Sequence, residues 1–281
     1  MERAMAAESP SHPGIFAANR AVGRIKLAVA AGAGGTRRKR VHEAGSLRVR
    51  FPNGDGQTLD AVIVNVAGGM TGGDRFDIDV RVDAGAKMSM TTAAAEKIYR
   101  SLDPPTEIAI KLEVASGGTL AWLPQETILF DRARLSRTIE VDLAAKANLL
   151  LAEACVFGRS AMGETVMSGR CLDRWRVRVQ RKLIFAESVR IDGAIADCLM
   201  ARASAAGGTA IASVLKIPGD EDAVAVVDAM QREFAGEVGV STWNGLTLAR
   251  LVARDGAALR HDLVQVVTAF AGASPPRLWL N

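Results

Sequence analysis

Phe76-Asp77-Ile78-Asp79-Val80-Arg81-Val82 alternates apolar and charged side chains without a fault. Successive side chains of a strand point to opposite faces, so this stretch reads as a strand with one face against a core and the other in water. The same alternation returns in Glu107-Ile108-Ala109-Ile110-Lys111-Leu112-Glu113-Val114, in Thr138-Ile139-Glu140-Val141-Asp142-Leu143 and in Trp175-Arg176-Val177-Arg178-Val179. Each of the first three runs through a small-residue turn into a second extended segment: Asp83-Ala84-Gly85 into Lys87–Thr92, Ser116-Gly117-Gly118 into Thr119–Leu123, and Ala144-Ala145 into Asn148–Ala154. Read as a hairpin, this unit recurs at a spacing of roughly 30 residues, a period that signals stacked architecture. The expected fold is mainly β, an elongated body of stacked β-hairpins.

Two α-helices are expected near the carboxyl end. Pro218-Gly219-Asp220 supplies a turn and an N-cap, acids follow at Glu221 and Asp222, and Val224, Val227, Met230 and Phe234 continue an amphipathic pattern, giving a helix from about Glu221 to Phe234. Asp255-Gly256 opens another, with Leu259, Leu263, Val266, Val267 and Phe270 on one face and Gly272 and Pro275-Pro276 as the stop. Leu246–Val252 between them reads as a strand. With no polar linker to mark a boundary, residues 21–281 read as a single domain behind a disordered tail over residues 1–20.

The composition is that of a globular chain: 49% hydrophobic and 23% charged residues in 281, with a mean hydropathy of +0.13. No run approaches the roughly 20 apolar residues of a membrane-spanning helix. Met1–Pro13 lacks the continuous apolar segment of a secretory signal, so a cytoplasmic protein is expected. Cys155, Cys171 and Cys198 are odd in number and far apart, which fits reduced, buried thiols better than a disulfide framework. Net charge is +4, with the densest basic run at Arg37-Arg38-Lys39-Arg40. Aromatic residues make up only 5%, too few for the stacking platforms of a general nucleic-acid binder, so that run reads as a solvated loop or a patch meeting an acidic partner.

The motifs argue against an enzyme. Gly68-Gly69-Met70-Thr71-Gly72-Gly73-Asp74 leads into a strand and lacks a following lysine, whereas a phosphate loop opens a helix. Gly158-Arg159-Ser160-Ala161-Met162-Gly163 has Met162 where a nucleophile elbow needs glycine. His12, His42 and His261 are scattered, and there is no Cys-x-x-Cys, His-x-His or histidine-rich run, so no tight metal site is expected. What the chain offers is carboxylates beside turns: Asp74, Glu126, Asp131, Glu153 and Glu164.

Three blocks in order resemble the urease accessory protein D family, also called UreD or UreH. They are Gly68–Asp74 followed by Thr91-Thr92-Ala93-Ala94-Ala95-Glu96-Lys97-Ile98-Tyr99-Arg100-Ser101, then Trp122-Leu123-Pro124-Gln125-Glu126-Thr127-Ile128-Leu129-Phe130-Asp131, then Phe157-Gly158-Arg159 through Gly163-Glu164. Gly45–Pro52 resembles the family's first strand and Pro276-Arg277-Leu278-Trp279 its carboxyl end. Ala67 and Ala93-Ala94 depart from the family's Pro before the first Gly-Gly and Pro-Gly after the paired threonines, a matter of turn rigidity.

The resemblance implies a non-catalytic scaffold that binds apo-urease and the F-type accessory protein. The G-type GTPase would join through that complex, and nickel(II) would pass in transit along an interior path. Such a path must hold the ion weakly, because a nanomolar site costs about 12 kcal/mol to leave, and oxygen ligands with water suit transit. The path candidates carried over are Asp74, Glu126 and Glu164, lined by Thr91, Thr92 and Gln125. Arg100 and Arg159 would orient the carboxylates, and Asp131, Gly72 and Gly73 would shape the turns. The alternatives are a β-rich module binding a small ligand or a protein unrelated to urease, and a carbohydrate-acting enzyme with paired carboxylates, which so few aromatics disfavour.

Overall fold

The computed structural model describes residues 20–53, 56–159 and 162–280. The expected tail, apart from Arg20, and Ser160 lie outside these residues. The first strands are β1 (Val22–Gly32), β2 (Gly35–Gly45), β3 (Leu47–Arg50), β4 (Leu59–Asn65), β5 (Arg75–Val82) and β6 (Lys87–Thr92). There follow β7 (Glu96–Ile98), β8 (Thr106–Val114), β9 (Thr119–Trp122), β10 (Thr127–Leu129), β11 (Arg134–Leu143) and β12 (Asn148–Phe157). The remainder comprises β13 (Gly169–Val179), β14 (Lys182–Gly193), α1 (Ile195–Met200), β15 (Ala210–Ile217), α2 (Glu221–Ala229), β16 (Glu237–Trp243), β17 (Leu246–Ala253) and α3 (Gly256–Ala271).

The body is mainly β, as the alternation requires, in two sheets. Sheet A runs β14-β13-β11-β8-β5-β1-β2 and sheet B runs β16-β17-β15-β12-β9-β6-β4-β3, with β10 and β7 attached beside β12. The two strands of each repeating unit are not hydrogen-bonded partners. β5, β8, β11 and β13 lie parallel in sheet A, while β4, β6, β9 and β12 lie parallel in sheet B. The expected hairpins are therefore arches that carry the chain from one sheet to the other, and each unit pairs with the next one along. A short turn and two alternating strands satisfy either arrangement, so the sequence pattern alone does not separate them.

The arches stack on one another. Gly85, Gly117 and Lys146 occupy the same left-handed turn position, with φ of 68°, 68° and 60°. Thr119 N–H donates to Ala86 O at 2.9 Å and Asn148 N–H to Gly118 O at 2.8 Å, so each turn hangs on the one before. Inward side chains of the two sheets make one core, with Ile78, Val80, Leu112, Ile139 and Val141 from sheet A facing Met88, Met90, Leu120 and Leu151 from sheet B.

Sheet B has a second buried face. Leu150, Ala152, Val156 and Val214 on that side pack under Leu259, Leu263, Val266, Val267 and Phe270 of α3 and Val227 of α2. β12 is consequently buried along nearly its whole length, and its sequence from Leu149 to Phe157 is apolar at every position but Glu153. Asp220 and Asp255 cap α2 and α3, accepting from Ala223 N–H at 2.9 Å and Ala258 N–H at 2.8 Å, and Gly272 closes α3 at φ 64°.

Two helix expectations need correction. α2 stops at Ala229 instead of Phe234, because Asp262 of α3 takes the N–H groups of Ala235 and Gly236, both at 2.8 Å, and bends that segment away. There are three α-helices among the described residues, the additional one being the short α1. No helix among the described residues is long and apolar enough to cross a membrane.

Candidate functional site

The site residues expected from sequence fall into two groups. Thr91, Thr92, Gln125 and Glu126 meet in a seam beneath α3. Thr92 Oγ1 accepts from Gln125 N–H at 2.9 Å, and Gln125 Nε2 donates to Leu278 O at 2.8 Å. Arg260 from α3 holds Glu126 in a bidentate pair at 2.7 and 2.9 Å and also donates to Gln125 Oε1. Trp279 completes the seam: its indole N–H donates to Leu123 O at 2.9 Å and Thr91 Oγ1 at 3.2 Å, and the Arg260 guanidinium lies 5.2 Å from its ring centre. Glu126 is thus engaged by an arginine the sequence reading did not name.

Gly72, Gly73, Asp74, Asp131, Arg159 and Glu164 lie in loops. Asp74 is buried, and its carboxylate accepts the N–H groups of Ala21 at 2.8 Å and Thr71 at 2.7 Å, so it ties β1 to the Gly-rich loop. Gly72 has no room for a side chain: a Cβ there would stand 1.9 Å from Ser101 Oγ. Gly73 takes the turn with φ of 87°. Arg159 pairs with Glu164 at 2.7 Å and lies over the Phe130 ring, which holds the Glu164 carboxyl below its ordinary range. Glu164 also accepts from Asp131 N–H at 3.2 Å, and Asp131 in turn accepts from Met167 N–H at 2.9 Å. Arg100 is exposed and contributes its carbonyl, which accepts from Thr71 Oγ1 at 2.9 Å. None of these side chains bonds to the Glu126 seam.

The interior holds a third group. Arg137, Glu153 and Asp173 are only 3, 5 and 7% exposed. Arg137 and Asp173 are register partners on β11 and β13, and Arg137 Nη2 lies 2.5 Å from Asp173 Oδ2. Arg137 Nη1 pairs with Glu153 Oε2 and approaches Thr127 Oγ1 at 3.3 Å, while Trp122 donates to Glu153 Oε1 at 2.8 Å. Burial pushes the Glu153 carboxyl up to about 7, against the opposing pull of Arg137.

These residues border a cavity of about 320 Å³ between the sheets, beneath α1 and residues 201–207. Cys155, Cys171 and Glu187 share its lining. Glu187 pairs with Arg250 at 2.9 Å, and burial raises its carboxyl. Asp173 Oδ1 and Glu187 Oε2 are buried with no hydrogen-bond partner among the described residues. No group of three His, Cys, Asp or Glu side chains among them is disposed to hold a metal ion.

The profile of the family described as "UreD urease accessory protein" matches residues 21–280. The chain belongs to the UreD family. Similar relatives include the urease accessory protein UreD of Rhodopseudomonas palustris strain HaA2, 54% identical over 97% of this chain and 98% of that relative. The UreD of Bradyrhizobium diazoefficiens is 50% identical over 95% of this chain and 96% of its own length.

In this UreD chain the specific sequence blocks build the seam and the loops, whereas the interior charges come from strands outside them, apart from Trp122 and Thr127. Arg137 shares the parity of Leu135, Ile139 and Val141, and Asp173 that of Cys171, Trp175 and Val177, so both stand at inward positions. Alternation counted from Thr138 and from Trp175 leaves both charges out. Strict alternation extended by a few residues marks them.

Proposed function

We propose that this chain is a non-catalytic scaffold of urease maturation. In this reading it binds apo-urease and the F-type accessory protein directly and meets the G-type GTPase through that complex. It offers nickel(II) a path towards the urease active site in the cytoplasm, with GTP hydrolysed by the partner. Residues 21–281 act as one domain, a reading supported by the sharing of sheet B between both hydrophobic cores.

The observation that carries the path is the cavity between the sheets, where Asp173 and Glu187 each present a buried carboxylate oxygen without a partner. Buried carboxylates are normally satisfied, and oxygen donors free to take a cation suit brief residence of a hydrated ion. Asp74, Glu126 and Glu164 are spoken for by backbone N–H groups and arginines, so in this reading they fix the seam and the loops and do not line the cavity. Arg260 joins α3 to Glu126 and so fixes the helical cover to that seam.

The test is nickel in urease. In cells carrying the Asp173→Asn, Glu187→Gln double variant, nickel per urease active site is expected to fall several-fold while co-purification with the F-type protein is retained. Unchanged nickel content would overturn the path.

A further inference from the structure

Two of the three thiols meet across the gap between the sheets. Cys155 stands on β12 of sheet B and Cys171 on β13 of sheet A, and both belong to the core between them at 5 and 1% exposure. The third, Cys198 on α1, is only partly buried. The Cys171 thiol donates a hydrogen bond to Cys155 Sγ. Arg137 approaches the same sulfur from β11, with Nη2 at 3.7 Å. The bond from Cys171 and, after it, the guanidinium hold the Cys155 thiol below its ordinary range, while the same bond and burial push Cys171 up. One sulfur is therefore inclined to ionise and attack, and the other keeps its proton within reach of it. A buried cysteine is usually inert because no reagent gets to it. Both of these line the cavity of about 320 Å³, which has room for a reagent little larger than water.

We infer that Cys155 and Cys171 form a reversible oxidation site, which takes a hydroperoxide as oxidant and closes into a disulfide tying sheet A to sheet B beside the cavity. In the first step the Cys155 sulfur attacks one oxygen of hydrogen peroxide. The O–O bond breaks, and the other oxygen leaves with the thiol's proton as water, so Cys155 becomes a sulfenic acid. The Cys171 sulfur then attacks the Cys155 sulfur. The S–O bond breaks as the S–S bond forms, and the departing hydroxide takes the Cys171 proton as a second water. Two thiols lose two electrons, and the peroxide gains them. A thiol reductant reverses the change, as a sensing site in a reducing compartment requires. The bond joins the strands that carry Glu153 and Asp173, so the oxidised chain holds the cavity walls at a fixed separation. This chemistry needs no metal and stands apart from the nickel path.

The experiment uses the full-length wild-type chain, exposed to a small excess of hydrogen peroxide, then denatured with an alkylating agent present and mapped by mass spectrometry. Free thiols are expected to fall from three to one per chain, with Cys155 linked to Cys171, Cys198 alkylated, and all three recovered after dithiothreitol. Closing the chain between these two positions restricts the unfolded state, and the melting temperature of the oxidised protein is expected to rise by about 5 °C. In Cys171→Ser the reaction is expected to stop at the Cys155 sulfenic acid, which dimedone labels and wild type does not accumulate. Three alkylated thiols after peroxide overturn the inference, and so does a bond made through Cys198 or between two chains. A Cys155–Cys171 bond that lowers the melting temperature overturns it as well, because the sheets would then have to be forced together. Should Cys171→Ser fail to fold, the wild-type map and melt decide alone.

Discussion

The outer faces of the two sheets solve the same problem in opposite ways. On sheet A the outer face is wet, and across it Lys26, Asp79, Lys111, Glu140 and Arg176 stand in register on β1, β5, β8, β11 and β13. Charges of alternating sign meet at every step, each pair contributing a few tenths of a kcal/mol. On sheet B the outer face over β12, β15 and β17 is dry, covered by α2 and α3. A parallel stack of arches tolerates either treatment, and the choice decides which substitutions the fold can absorb.

The largest break in this contrast is Phe270→Ala. Phe270 is 1% exposed at the centre of the helical cover, and its loss is expected to lower stability by about 3–5 kcal/mol, read from urea unfolding. Asp262→Ala comes next. It leaves the Ala235 and Gly236 N–H groups without their charged acceptor, and a loss of about 2 kcal/mol is expected by the same measurement.

A third prediction concerns pH. Glu96, on β7 of sheet B, is pushed up to about 7 by burial, against the Asn65 hydrogen bond that favours its charged form. The folded chain keeps a proton that the unfolded chain releases above about 4.5, so this carboxyl's contribution is full below that pH and declines as pH rises to 7. Glu96→Gln is expected to remove roughly 2 kcal/mol of that decline in melts across this window and to leave the part due to Glu153. The smallest effect belongs to sheet A: Asp79→Ala on the wet face is expected to change stability by under about 1 kcal/mol, less still at high salt.

The same contrast explains what the sequence made legible. Sheet A strands show their two environments as alternation, so β5, β8 and β11 are readable residue by residue. β12 is dry on both sides, and a run apolar from Leu149 to Phe157 but for Glu153 shows no alternation from which to read its facing. The end of α2 depends on Asp262, 26 positions beyond Gly236, and the Glu126 seam depends on Arg260 and Trp279, more than a hundred positions away. Pairings of that range leave no local pattern. The interior charges were legible in principle, because Arg137 and Asp173 occupy apolar slots of an otherwise faultless alternation, and a charge in such a slot asks what balances it.

The recurring left-handed turn at Gly85, Gly117 and Lys146 gives the molecule a unit of length. Every coil hands the next the same two strand edges that it received, so excising one complete coil leaves its neighbours able to close up in phase, whereas deleting a few residues inside a coil throws both sheets out of step. Size differences among proteins built this way are therefore expected to come in whole coils, placing the two ends of the stack nearer or farther apart in discrete increments.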